Sequence, residues 1–205
     1  MSDFNLSPKY EKIIDDLLNQ QFSIVDDFFL ETETTSLRNA LLAKYQEDEF
    51  KKAAIGNQLN EKIIKSIRGD FISWIDENNV NEAEILFFRK VDDFIQYMNR
   101  TCFLGIQDKE FHYALYPEGT FYKRHLDTFQ NDSSRKLSIV CYLNQEDWKE
   151  EFGGELVIYK DNEEIAISPM KGRVVIFESQ ILEHEVKPVK KERLSITGWL
   201  KTRKK

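Results

Sequence analysis

The last apolar segment of the chain reads Arg193-Leu-Ser-Ile-Thr-Gly-Trp-Leu200. Because side chains of a β-strand point alternately to its two faces, this segment predicts a strand with one aliphatic face and one face that carries Arg193, Thr197 and Trp199. Residues 136–143 alternate in the same way. Two arrangements fit the pattern. Either the aliphatic faces line a barrel and the polar faces contact water, or the aliphatic faces pack against helices and the polar faces surround a ligand, where charges must be paired.

The first half of the chain favours helices, and the residues from 111 onward favour strands. Ser7 and Pro8 predict a helix start, because serine caps free N–H groups and proline at the first position loses no hydrogen bond. Ser36 is the predicted cap of a second helix, residues 85–98 have helical spacing, and residues 22–25 predict a short strand. The later strands are predicted at residues 111–116, 121–127, 137–143, 155–159, 164–167, 173–177, 184–186 and 194–200. Eight short strands after a set of helices predict an α+β fold with a jelly-roll core flanked by N-terminal helices.

Length and composition restrict the class of protein. The chain has 205 residues, of which 41% are hydrophobic, so we expect one domain, with a helical cover at about 7–100, a β-core at about 111–200 and a solvated basic tail at 201–205. The net charge of −7 argues against nucleic acid as the partner. The sequence predicts no membrane span and no secretory signal, and two cysteines are too few for a disulfide framework. A cytoplasmic location is therefore expected.

Three residues form a candidate metal site. His125 and Asp127 lie two positions apart on a predicted strand, so their side chains point the same way. Such a pair alone is a weak signal, because a surface strand can carry a hydrogen-bonded His–Asp pair. His184, on another predicted strand, can supply a third ligand, and Arg193 begins the final strand.

This combination has a specific chemical use. Two histidines and one carboxylate on one face of Fe(II) leave three coordination positions open. A 2-oxoacid can chelate two of them and dioxygen can take the third. The far carboxylate of such a cosubstrate needs a cation, and the planar guanidinium of Arg193 matches it better than a lysine would.

Several motifs extend over residues 22–200. They are Ile67-Arg-Gly-Asp-Phe-Ile-Ser-Trp-Ile75, Tyr116-Pro-Glu-Gly119, Tyr122-Lys-Arg-His-Leu-Asp127, Tyr142-Leu-Asn144, Gly153-Gly-Glu-Leu156, His184-Glu-Val186 and the segment 193–199. Together they resemble the Fe(II)- and 2-oxoglutarate-dependent dioxygenases, within them the prolyl 4-hydroxylases, and more closely the hypoxia-inducible-factor prolyl hydroxylase subfamily and its bacterial relatives. The resemblance implies a double-stranded β-helix, which is a jelly-roll, as the core.

The resemblance also implies a role for individual residues. The implied iron ligands are His125, Asp127 and His184. The implied 2-oxoglutarate-binding residues are Arg193, Tyr142, Tyr116 and Thr197. The implied substrate-binding residues are Trp74, Asp70, Arg135 and Trp199, with Asp70 and Arg135 as a pair that positions a substrate loop. Trp199 fits a core position equally well, and His112, which belongs to no family motif, is interpreted as structural.

The implied reaction is 4-hydroxylation of a prolyl residue in a protein, with release of succinate and CO2. Fe(II), 2-oxoglutarate and O2 are the implied cofactors, and ascorbate is a candidate reductant. The bacterial relatives imply elongation factor Tu as a candidate substrate. Residues 51–66 lie where the subfamily has a mobile loop over the active site, although an ordinary connection with a helical stretch at 60–67 also fits. The motif at 116–119 has one residue more than the family pattern, and the zinc-binding module of the animal enzymes is absent from the sequence.

Other functions remain compatible with these residues. The same chemistry could act on a free amino acid or another small metabolite, or a cupin-like module could sense 2-oxoglutarate or iron without catalysis. The sequence leaves the oligomeric state open, and a monomer fits it.

Overall fold

The computed structural model describes residues 5–53, 67–128, 134–145 and 147–203. Within these ranges the helices are α1 (Pro8–Gln20), α2 (Glu31–Gln46) and α3 (Glu82–Cys102). The strands are β1 (Phe22–Val25), β2 (Lys51–Lys52), β3 (Phe71–Trp74), β4 (Ile106–Tyr116), β5 (Tyr122–His125), β6 (Arg135–Tyr142), β7 (Leu156–Lys160), β8 (Glu163–Ile167), β9 (Val174–Glu178), β10 (Glu183–Val186) and β11 (Arg193–Thr202). A short 3-10 helix covers Glu150–Phe152. No helix in the described ranges has both the length and the apolar composition needed to cross a bilayer.

The strands form two sheets. The larger sheet has seven strands in the order β1-β9-β6-β11-β4-β3-β2, and the smaller sheet has four in the order β5-β10-β7-β8. Neighbouring strands pair antiparallel throughout both sheets. The predicted α+β jelly-roll with N-terminal helices is therefore confirmed.

Of the two predicted helix caps, one is confirmed and one is wrong. Ser7 caps α1 as expected, and its hydroxyl accepts a hydrogen bond from the Tyr10 backbone N–H at 3.5 Å. Ser36 is not a cap, because α2 already begins at Glu31 and the Ser36 hydroxyl donates to the Thr32 carbonyl at 2.9 Å. A serine inside a helix often makes this bond to the preceding turn, so its hydroxyl alone does not mark a helix start.

The eight strands predicted after residue 111 all occur, with shifts of a few residues at their ends. The structure adds β2 and β3, which extend the larger sheet beyond β4. The predicted helical cover at 7–100 therefore contributes strands as well as helices. Residues 54–66, which contain most of the segment expected to cover the site, lie outside the described residues.

The aliphatic face of the larger sheet packs against the helices. On β11, Leu194, Ile196 and Leu200 are each at most 1% exposed. They belong to one apolar cluster with Leu37 of α2 and Phe94 of α3. Of the two arrangements that the alternation allowed, the structure has the second, in which the polar faces of β6 and β11 point to the space between the sheets.

Candidate metal and cosubstrate site

A cavity of about 1090 Å³ lies between the two sheets. Its wall includes residues from both, among them the three predicted metal ligands, Arg193, Thr197 and both predicted substrate-binding tryptophans. The cavity is therefore the place where most of the candidate site residues meet, whereas Tyr142 and Asp70 are not in its lining.

The register of the smaller sheet brings the predicted metal ligands together. His184 of β10 pairs directly with His125 of β5, and Asp127 follows β5 by two residues. One ligand atom from each residue can be chosen so that all three lie within 4.8 Å of one another. The Asp127 carboxylate is 3.5 Å from Nε2 of His125 and 3.5 Å from Nε2 of His184.

Backbone carbonyls orient both imidazoles. Nδ1 of His125 lies 2.7 Å from the Lys123 carbonyl, and Nδ1 of His184 lies 3.2 Å from the Leu182 carbonyl. When each Nδ1 carries the proton for its bond, each Nε2 presents a lone pair to the space beside Asp127.

The charge states also suit a cation. Burial lowers the pKa of His184 to about 4, so its imidazole is neutral at pH 7. Burial pushes the pKa of Asp127 up, but the His184 and His125 imidazoles and the Ser138 hydroxyl outweigh this effect and hold the pKa below its ordinary value. Ser138 donates to the Asp127 carboxylate at 2.7 Å and lies 2.8 Å from the Ser179 hydroxyl.

Neutral imidazole and ionised carboxylate are the forms that bind metals. Two nitrogens and one carboxylate oxygen on the same side of a site are the donor set of the non-haem Fe(II) oxygenases. The residues present therefore fit Fe(II).

Arg193 is a buried cation without an acidic partner. It is 2% exposed, it forms no ion pair with any described residue, and its Nε has no hydrogen-bond partner there. The guanidinium carbon lies 4.9 Å from the ring centroids of both Tyr116 and Tyr142. A buried unpaired charge is costly, so this arrangement is complementary to an anionic ligand such as a carboxylate.

The turn before β7 makes room for this side chain. A Cβ atom at Gly154 would lie 2.5 Å from Cγ1 of Val189 and 3.1 Å from Cδ of Arg193. Gly154 also has a φ of +75°, which L-residues rarely adopt. The second glycine of the Gly153-Gly-Glu-Leu156 motif is therefore required by its positive φ and by the close approach of Val189, with the Arg193 stem as a further contact.

Strand register places the remaining predicted cosubstrate residues beside Arg193. Tyr116 is the direct partner of Arg193 across β4 and β11, and Tyr142 is the partner of Ser195 across β6 and β11. Tyr142 is fully buried, and its hydroxyl has no hydrogen-bond partner among the described residues. Thr197 is two positions from Ser195 on the same face, and their hydroxyl oxygens are 3.5 Å apart.

The two predicted substrate-binding tryptophans lie at different depths. Trp74 is 52% exposed and Trp199 is 9% exposed, with ring centroids 6.3 Å apart. The Arg135 guanidinium lies 3.5 Å from the Trp199 ring centroid, and it donates to the Asp127 backbone carbonyl at 3.1 Å. Trp199 therefore combines a nearly buried position with contact to the cavity, and Arg135 connects it to a metal ligand.

Asp70 and Arg135 are not paired with each other in this structure. The Asp70 carboxylate accepts from Arg68 at 2.6 Å, and Arg135 donates to Glu110 at 2.8 Å. The expected role of Asp70 and Arg135 in positioning a substrate loop stays a prediction.

Three residues that contact the site, Arg68, Tyr122 and Ser138, were not among the predicted site residues. The Arg68 guanidinium lies 4.3 Å from the Tyr122 ring centroid, and the Tyr122 ring is stacked on His125 at 3.6 Å with an interplanar angle of 17°. Ser138, which holds Asp127, lies on the polar face of residues 136–143 and could have been found from that alternation. Arg68 and Tyr122 are parts of the quoted motifs, but no local pattern indicates the stacking.

Comparisons with known proteins agree with this geometry. Residues 111–201 match the family model of the 2OG-Fe(II) oxygenase superfamily. A prolyl 4-hydroxylase from Pseudomonas putida has a similar structure with a TM-score of 0.86 and 36% identity, and the match covers 96% of this chain and 100% of that one. A prolyl hydroxylase from Trichoplax adhaerens, solved with a peptide fragment of the oxygen degradation domain of hypoxia inducible factor, matches with a TM-score of 0.85 and 29% identity over 94% of this chain and 89% of that one.

The fold and the site define a 2-oxoglutarate- and Fe(II)-dependent dioxygenase, which uses Fe(II), 2-oxoglutarate and O2. Within that class, the chain belongs to the prolyl 4-hydroxylase family. The expected family, fold class and cofactors are thereby confirmed.

Proposed function

We propose that this dioxygenase hydroxylates a prolyl residue of a protein at C4, with elongation factor Tu as the candidate substrate. One prolyl residue, one 2-oxoglutarate and one O2 give one hydroxyprolyl residue, one succinate and one CO2. The observation that carries the proposal is the metal-ligand triad next to an unpaired buried Arg193 in one cavity.

His125, Asp127 and His184 would hold the iron. Bound iron supplies the oxidative chemistry with O2, which no side chain of the protein can supply. The carbonyls of Lys123 and Leu182 fix the two imidazoles, so both nitrogens keep their direction when substrates enter.

Arg193 would bind the distal carboxylate of 2-oxoglutarate. Charge-assisted hydrogen bonds from a guanidinium are about twice as strong as neutral ones. Tyr116, Tyr142 and Thr197 would orient the cosubstrate, because their side chains lie on the same sheet face as Arg193. The buried position of the site excludes water from the reacting groups.

A polypeptide substrate is supported by the shape of the cavity mouth. Trp74, Leu126 and the strand β2 line it, and Trp74 and Leu126 expose 52% and 39% of their surface. Exposed apolar side chains at a cavity mouth favour a partner that covers them. We assign substrate contacts to Trp74 and Trp199, and the positioning of the substrate to Asp70 and Arg135.

The test is a turnover screen of the protein supplied with Fe(II) and 2-oxoglutarate. The substrates are purified elongation factor Tu, a panel of proline-containing peptides, free proline and related small metabolites. We expect substrate-dependent succinate formation and a product heavier by one oxygen at a prolyl residue, with no turnover by Asp127→Ala. Turnover of small molecules alone would favour the metabolite oxygenase, and 2-oxoglutarate binding without decarboxylation on any substrate would favour a sensor.

We further propose that the helices and the two sheets form one domain, that the protein is a cytoplasmic monomer, and that ascorbate sustains its turnover. Sedimentation at increasing concentration tests the monomer. Omission of ascorbate should shorten the linear phase of succinate formation, and an unchanged progress curve would contradict its role.

A further inference from the structure

His112 is part of the cavity wall. It lies on the inner face of β4, where it pairs with Trp74 of β3 on one side and Thr197 of β11 on the other. Its ring centroid is 4.9 Å from that of Trp74 and 5.5 Å from that of Trp199. His112 therefore lies between Thr197, a proposed 2-oxoglutarate residue, and Trp74 at the mouth, and it also lies beside the more deeply buried Trp199.

The imidazole of His112 has polar atoms that the protein does not satisfy. The residue is 3% exposed, and its Nδ1 is buried without a hydrogen-bond partner. Its Nε2 makes no hydrogen bond to a described residue and is not among the fully buried atoms, so Nε2 is the nitrogen that a ligand in the cavity can reach. Most buried polar atoms in proteins are hydrogen-bonded, so an interpretation of His112 as a purely structural residue leaves this ring unexplained.

The imidazole is neutral at the pH of the reaction. The pKa of His112 is lowered to about 3, mainly by burial and also by the nearby Arg68 and Arg135 cations, while Asp70 and Asp127 oppose this shift. A neutral imidazole carries one N–H donor and one acceptor nitrogen.

We propose that His112 is a substrate-binding residue that donates a hydrogen bond to a backbone carbonyl of the polypeptide beside the target prolyl ring. This inference rests on the proposed function. The prolyl nitrogen bears no hydrogen and the ring carries no polar atom, so the flanking carbonyls are the polar groups nearest to the reacting carbon. A donor in the wall between the tryptophans fixes the depth to which the prolyl ring enters.

Two variants separate the hydrogen bond from packing. His112→Phe keeps an aromatic ring between the tryptophans and removes the donor, whereas His112→Asn keeps a donor. The probe is the prolyl peptide that the wild-type protein turns over fastest. We expect His112→Phe to lower kcat/KM for the peptide about tenfold, mainly through KM, and His112→Asn to stay within about threefold of wild type. The KM for 2-oxoglutarate should stay within about twofold in both.

A change in the peptide tests the same contact from the other side. Replacement of a carbonyl oxygen by sulfur, either before the target proline or on it, weakens the acceptor. One of the two replacements should lower kcat/KM of the wild-type protein and have no further effect in His112→Phe, as expected for partners in one interaction.

Three results would overturn the role of His112. They are an unchanged kcat/KM in His112→Phe, a KM for 2-oxoglutarate that rises in step with that of the peptide, and no effect of either sulfur replacement on the wild-type protein. The last measurement needs no variant, so the test remains decisive if His112→Phe does not fold. A wild-type protein that turns over no prolyl peptide would instead refute the proposed function and this inference with it.

Discussion

The two faces of β11 differ in what their side chains contact. On the outer face, Leu194 and Ile196 pack in an apolar cluster with the helices and are at most 1% exposed. On the inner face, Arg193 is equally buried but has no acidic partner among the described residues, and Ser195 and Thr197 lie beside it. Alternate residues of β11 thus have different roles, since the outer residues stabilise the fold and the inner residues face the cavity.

The unpaired polar atoms of the inner face lower the stability of the folded protein. Buried polar atoms without a partner in the described part of the chain include those of His112, Tyr142, Arg193 and Trp199, which share that face. Each such atom costs about 1–3 kcal/mol when it is left unpaired. Substitutions on the inner face should therefore affect ligand binding more than folding, and substitutions on the outer face should do the reverse.

The largest effect is expected for Asp127→Ala. Loss of one ligand from the triad should lower succinate formation by roughly a thousandfold or more. The unfolding free energy of the metal-free protein should also fall, because the folded protein holds the Asp127 pKa below its ordinary value and so stabilises the carboxylate relative to the unfolded chain. A succinate assay with added Fe(II) and urea unfolding of the metal-free protein measure the two quantities. Asp147→Ala is the matched control, since Asp147 is exposed and, within the described part of the chain, pairs with Lys191. Full activity of Asp127→Ala would contradict the assignment of the site.

The second-largest effect is expected for Arg193→Met. We expect the KM for 2-oxoglutarate to rise about a hundredfold, because a charge-assisted bidentate contact is lost, and Arg193→Lys to show a smaller rise of about tenfold. The metal-free Arg193→Met protein should be more stable than wild type, since an uncompensated buried cation is removed.

Arg173→Met is the control for the loss of an arginine. Arg173 pairs with the exposed Asp26 at 2.7 Å, so its replacement should leave the KM for 2-oxoglutarate unchanged. A destabilised Arg193→Met protein with normal 2-oxoglutarate kinetics would show that Arg193 is structural.

A matched pair on β11 compares the faces directly. Leu194→Ala should lower the unfolding free energy by about 2–4 kcal/mol, because it leaves a cavity in the helix-packed core, with an unchanged KM for 2-oxoglutarate. Thr197→Val keeps the shape and removes a hydroxyl, so it should raise that KM severalfold and barely change stability. Urea unfolding and steady-state kinetics check both. A larger change in the KM for 2-oxoglutarate in Leu194→Ala than in Thr197→Val would contradict the assignment of the two faces.

Much of the division of β11 and β6 into an outer apolar face and an inner polar face could be predicted from the sequence, because strand alternation is a local pattern. It predicted the two faces of residues 193–200 and 136–143. The two-residue spacing of His125 and Asp127 indicated a pair on one strand, although β5 ends at His125, and the family resemblance identified His184 as the third ligand. Which face turns inward depends on the packing of α1, α2 and α3, so the sequence left two arrangements open. The pairing of Asp70 with Arg68 instead of Arg135, and the stacking of Tyr122 on His125, depend on contacts between β3, β5 and the loops before them. No local pattern records those contacts.

The last expected effect concerns the pH dependence of folding. Burial lowers the pKa of His112 to about 3 and that of His184 to about 4 in the metal-free protein, whereas an unfolded histidine has a pKa near 6.5. Below pH 6.5 the unfolded chain therefore binds more protons than the folded protein. The unfolding free energy should fall as the pH is lowered from about 6.5 to about 4, with a slope that approaches 1.4 kcal/mol per pH unit for each histidine. Above pH 6.5 these groups contribute no slope.

His112→Phe tests this dependence without touching a metal ligand. Urea unfolding of the metal-free protein between pH 4.5 and 8 should give a slope smaller by up to about 1.4 kcal/mol per pH unit in this variant, because one of the two protons taken up on unfolding is gone. Leu194→Ala should instead lower the whole curve and keep the wild-type slope, because no titrating group of the outer face is removed. If His112→Phe kept the wild-type slope, the buried histidine would not be neutral in the folded protein. The inner face would then hold a second cation besides Arg193, and part of the stability cost of that face would have to be assigned to His112.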